Sequence, residues 1–160
     1  MNIQEHVTLE MHNVLSYRGK MSQQEMHLKS LEFEKVLKET GAKKSAPVVT
    51  STFSVEQSPN GPIGPIMDIE ILMSLDREIT PPAGFTWKSH FLLTNALKIT
   101  HTGNPAGLEN SVNELNQFIV QNSLVPISTG YNVTVKEAKT PMELDQMVID
   151  IYVGISPNKL

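Results

Sequence analysis

The stretch NALKITHTGNPAGLENSV, Asn95 to Val112, decides how the chain is read. A strand-like run leads into His101, Thr102 and Gly103, then into a loop with Pro and Gly, then into a helical pattern. A glycine-bearing turn ahead of a helix can cradle a phosphate, and it is also the ordinary way a helix begins. Asn104 is a good N-cap, and Pro105 suits the first helical position, where a missing N–H costs nothing. No phosphate-loop lysine follows. The stretch therefore predicts the first strand and the helix start of a structural module, with His101 capping the corner between them.

The same pattern occurs earlier in the chain. Laid on itself without a gap at a shift of 82 residues, the sequence matches Asn13 with Asn95, Leu15 with Leu97 and Asp68 with Asp150. Identities are few, but the patterning is in step. Ser22 opens SQQE, a capping box in which Glu25 reaches back to the cap, and Asn104 stands at the matching position. Met26, Ser30, Phe33 and Leu37 then match Leu108, Val112, Leu115 and Ile119, one stripe along a helix face. Gly41 ends the first helix as a left-handed C′ residue.

Strands flank each helix. LEMHNVLSY alternates as FLLTNALKI does; Val49, Phe53 and Val55 match Tyr131, Val135 and Glu137; Ile69, Ile71 and Met73 match Ile151, Val153 and Ile155. SPNGPIGP and KTPMELDQ read as the hairpin connections within the halves, and DREITPPAG as the link between them. The expected fold is α+β: two βαββ modules related by a pseudo-two-fold axis, an antiparallel sheet with two helices packed on it. The expected organisation is a single domain, 1–160, made of repeats at about 1–78 and 83–160.

Composition excludes several classes of function. With 160 residues, a formal charge of −4 and only one adjacent lysine pair, Lys43 and Lys44, there is no basic stripe to neutralise nucleic-acid phosphates. No apolar run is long enough to span a bilayer, and the first ten residues lack a signal-peptide layout, so a cytoplasmic location is expected. Zero cysteines remove disulfides, thiolate metal sites and a cysteine nucleophile. The five histidines show no helical HxxxH spacing, and neither a metal nor a cofactor is expected. No serine nucleophile elbow, HExxH or phosphate loop is present.

Two βαββ modules, the run ALKITHTG and the terminal VIDIYVGI resemble the gyrase-inhibitor-like superfamily, which includes the effector-binding domains of AraC-type and multidrug-sensing regulators. The resemblance runs from about Thr8 to Ile155 and extends to a stand-alone branch from Firmicutes. It implies a small molecule, often hydrophobic or cationic, bound in a cleft between the modules; some relatives are hydrolases and others bind a protein. Many members carry an acidic residue on the strand after the second helix, with Tyr two positions on. Asn132 and Thr134 occupy those places here, and Asn can serve neither as general base nor as counter-charge.

Strand parity supplies the candidate contacts, since successive side chains point to opposite faces. If the apolar set faces the helices, the open face carries Thr52, Asn132, Thr134, Glu70, Tyr152 and His12, with Glu70 and Tyr152 matched by the repeat. Trp87 is the candidate wall, or a core residue near a strand start. Asn13 and Asn95 interrupt apolar strands at equivalent points, as a local bulge or hydrogen-bonding pair would require. The leading expectation is a non-enzymatic, stand-alone binding domain for a small molecule or peptide. A protein-interaction role, such as an accessory or chaperone-like factor linked to secretion, is the alternative, and a small hydrolase using Glu70 with Tyr152 comes last. Partner and oligomeric state are not specified by these features.

Overall fold

A computed structural model of the chain describes residues 3–57 and 64–158. Among these residues it is an α+β protein with six antiparallel strands and two α-helices. The elements run β1 (Ile3–Met21), α1 (Gln23–Thr40), β2 (Val49–Glu56), β3 (Ile66–Ser74), β4 (Thr86–Thr102), α2 (Leu108–Gln121), β5 (Pro126–Lys136) and β6 (Val148–Ile155). None of the described helices is long and apolar enough to cross a membrane. Most of SPNGPIGP lies outside the described residues.

The chain divides into two compact units, residues 11–91 and residues 1–10 with 92–160. The division falls inside β1 and β4, not in the DREITPPAG connection, which joins β3 to β4 within the first of these units. α1, β2 and β3 belong to the 11–91 unit, and α2, β5 and β6 to the other.

In the 11–91 unit, β3 lies between β1 and β2. α1 forms where the sequence places it. The Ser22 hydroxyl accepts from the Glu25 N–H at 3.2 Å, and the Glu25 carboxylate accepts from the Ser22 N–H at 3.3 Å. Gly41 closes the helix at φ 74°, its N–H bonded to the Leu37 carbonyl. Phe33 and Val36 are buried against Leu15, Ile69, Ile71 and Met73, with Met26 and Leu37 packed at the margin. Phe85 meets the Phe33 ring edge-on at 5.0 Å between centroids. Asn13 has φ 53°, in the left-handed region, and its carbonyl accepts from the Leu75 N–H.

In the other unit, β6 lies between β4 and β5. Leu115 and Ile119 of α2 pack on Leu97, Ile99, Ile149 and Ile151. Asn104 does cap, accepting from the Ala106 N–H at 2.9 Å, but what it starts is a 3-10 turn, Pro105–Gly107; α2 proper begins at Leu108. Gly107 is a poor α-helical residue, which explains the delayed start. His101 bonds Ser111 Oγ at 2.9 Å and the Asn104 carbonyl at 3.0 Å, tying strand to helix at that corner. Asn95 is held by its side chain, donating to the Ile155 carbonyl and bonding the His6 ring.

The order strand, helix, strand, strand occurs twice, but the gapless match does not survive in the pairing. Leu15 pairs with Met73, whereas Leu97 pairs with Val153, so β6 matches β3 at a shift of 80 residues, not 82. The other two strands keep the shift of 82: β2 shifts register between Thr52 and Ser54, and β5 does so between Thr134 and Lys136. The stretch from β5 to β6 is therefore two residues shorter than that from β2 to β3. At the corrected match Ser74 stands opposite Gly154 in the comparison. Ser74 Oγ is buried and has no hydrogen-bond partner among the described residues. A Cβ on Gly154 would lie 2.7 Å from Leu93 Cδ1 and 3.1 Å from Ser128 Oγ, which accepts from the Gly154 N–H.

Phe33→Ala empties the centre of its core and is expected to cost about 3–5 kcal/mol. Ser22→Ala removes only the cap and is expected to cost about 1 kcal/mol. Urea unfolding followed by circular dichroism measures both; an equal loss in the two variants contradicts this account of α1.

Candidate functional site

Directly opposed residues of antiparallel strands share a face, so the pairing assigns the faces. Ile69, Ile71 and Met73 belong to the helix-covered core, which leaves Asp68, Glu70, Leu72 and Ser74 on the other face of β3. Opposite them stand Val14, Ser16, Arg18 and Lys20 from β1, and Val49 and Ser51 from β2. This face grades from apolar to charged: Val14, Val49 and Leu72 are buried, Ser16 and Ser51 are buried, and Arg18, Lys20 and Glu56 reach solvent.

Glu70 sits at the boundary. It is 7% exposed, yet it is an acid. Lys88 Nζ lies 2.9 Å from Glu70 Oε2, and the Ser16 hydroxyl donates to the same oxygen at 2.5 Å. Burying a carboxylate without partners is prohibitively costly, and a charged and a neutral donor together offset that cost. The Lys88 side chain is itself 33% exposed, so the arrangement pairs a nearly enclosed anion with a cation that keeps access to water. Farther along the face, Arg18 forms a two-point pair with Asp68, at 3.2 and 3.1 Å, and lies 3.7 Å over the Phe53 ring. The Arg18 hydrogen bonds hold the Asp68 carboxyl below the usual carboxylate range.

The other unit carries its own version. Asp150 is the β6 counterpart of Glu70 at the corrected match, and it accepts from the Thr100 hydroxyl at 2.6 Å. Lys98 Nζ is 4.0 Å from its second oxygen and 6.0 Å from the Tyr152 ring centroid. Burial, and then the Asp150 charge, push the Tyr152 hydroxyl above the usual phenol range, so it stays protonated.

The expected face assignments need correction in β2 and β5. Thr52 pairs with Ile69, Asn132 with Ile151 and Thr134 with Ile149, which puts all three on helix-side faces. Ser51 and Val133 take the positions beside Glu70 and Asp150. The repeat-based match of Glu70 with Tyr152 also fails, because Tyr152 corresponds to Leu72. Trp87 is half-buried and packs against the 11–91 core. His12 is exposed, with its ring stacked on that of His90 at 4.6 Å between centroids. Ser16 and Lys88 were missed. Lys88 was within reach of parity, being two residues before His90 on β4; Ser16 carried no comparable signal.

Neither a protein-family model nor a curated protein matches the chain. Solved structures do. The C-terminal domain of EcmrR superposes over 98% of this chain and 99% of that domain, with a TM-score of 0.71 and 14% identity. In EcmrR bound to DNA the likeness covers 97% of this chain but 58% of that one, again with a TM-score of 0.71, at 15% identity. A hydrolase from Listeria innocua matches with a TM-score of 0.63 at 13% identity, over 97% of this chain and 92% of that one. SAV2435, bound to tetraphenylphosphonium, matches with a TM-score of 0.52 at 10% identity, over 98% of this chain and 93% of that one. At such identities the likeness is one of fold: this chain folds as the EcmrR C-terminal domain does.

Proposed function

We propose that the chain is a non-enzymatic small-molecule-binding domain, and that Glu70 is the anionic contact for a ligand carrying a positive charge. One observation carries this reading: a carboxylate 7% exposed whose ion-pair partner is a partly exposed lysine. A lysine ammonium on a flexible four-carbon stem can withdraw into water, and an organic cation can take its place at Glu70 while Ser16 keeps its hydrogen bond.

Asn132 on β5 offers no counter-charge for a cation; Glu70 on β3 supplies one from another strand. The occurrence of a tetraphenylphosphonium complex in the same fold is in keeping with such a ligand. The two modules are read as copies of one βαββ unit, supported by register shifts 82 residues apart in β2 and β5.

A thermal-shift series with tetraphenylphosphonium, a neutral aromatic analogue and an aromatic carboxylate is the test. The cation is expected to raise Tm in a dose-dependent way, Glu70→Gln to weaken its binding at least tenfold, and Lys88→Met to tighten it. Stabilisation by the neutral or anionic compound alone overturns the assignment of Glu70, and no stabilisation by any organic cation overturns the cation-binding reading.

A further inference from the structure

We propose that His12 and His90, together with Glu10, bind a divalent transition metal of the zinc and nickel class. His12 lies on β1 and His90 on the first part of β4, both within the 11–91 unit, and their imidazoles stack at 4.6 Å with 5° between planes. A ring nitrogen of one lies within 4.8 Å of a ring nitrogen of the other, and both residues are exposed. Glu10 precedes His12 by two residues on the same strand, so strand alternation puts its carboxylate on the His12 side. Two imidazoles and one carboxylate are a donor set that suits zinc and its neighbours, with the remaining positions left to water.

Ligation requires the two stacked rings to turn, because lone pairs in nearly parallel ring planes do not converge on one ion. Ligation at zinc–nitrogen distances of about 2.0–2.1 Å in a tetrahedral arrangement brings two nitrogens to roughly 3.3 Å. Exposed rings reach that separation by rotating about their side-chain bonds, with no change in the strands. Of the remaining histidines, His6 bonds Asn95, His101 ties β4 to α2, and His27 lies exposed on α1. The helical spacing sought in the sequence could not disclose this site, because its two histidines come from strands 78 residues apart.

Titration of the untagged, chelator-treated chain with zinc and nickel salts, followed by calorimetry, is the experiment. One equivalent is expected to bind, with a rise in Tm. His12→Gln and His90→Gln should each weaken binding at least tenfold, Glu10→Gln about threefold, and His27→Gln not at all. In the unaltered chain, zinc should shift the side-chain resonances of His12 and His90 ahead of those of the other histidines, a readout independent of how the variants fold. Absence of stoichiometric binding, retention of affinity in both His12→Gln and His90→Gln, or first shifts at other histidines overturns the proposal.

Discussion

The pairing register of the central strands constrains everything else in this chain. Residues 69, 71 and 73 of β3 must meet α1, and residues 149, 151 and 153 of β6 must meet α2. A slip of one residue would turn Ile69 and Ile71 away from the helix and put Glu70 beneath Phe33, exchanging a packed face for a buried charge. The apolar alternation thus fixes where Glu70 points, and the ion pair with Lys88 follows from that placement.

The helices were the most legible part of the sequence because their signals are chemically distinct. Ser22 with Glu25, the left-handed Gly41 and the stripe ending at Leu37 each name one structural role, and the roles agree. β2 and β5 were less legible. Val49 to Ser54 reads VTSTFS, in which small hydroxyl residues stand at both parities, so no hydrophobic contrast says which of Ser51 and Thr52 lies inward. An extra residue at the register shift then reverses the alternation across the bulge, which puts Val55 on a face that Val49 does not share.

The candidate site was legible in part for the same reason. Glu70 stood out as an acid in the strongly apolar run IMDIEILMS, and His12 as a polar residue between Met11 and Asn13. What a single strand cannot disclose is its cross-strand company: Ser16 and Lys88 become functional candidates only once they are known to meet one carboxylate oxygen. The gapless match misled in a definite way. Asp68 with Asp150 and Ile69 with Ile151 are true identities in the sequence, yet removal of two residues ahead of β6 carries each to a different place in its sheet.

Ser74 and Gly154 occupy matching pairing positions in β3 and β6 under opposite demands. On β3 the side chain leaves its hydroxyl without a hydrogen-bond partner among the described residues, whereas on β6 an added methyl group would press on Leu93 and force its side chain to shift. The two strands are thus not interchangeable parts. A chimaera carrying the β3 sequence in place of β6 would bring a serine into a space built for hydrogen, while the reverse exchange would leave a gap beside β1. Each strand is thus fitted to its own surroundings, and substitution in either is bounded by that asymmetry.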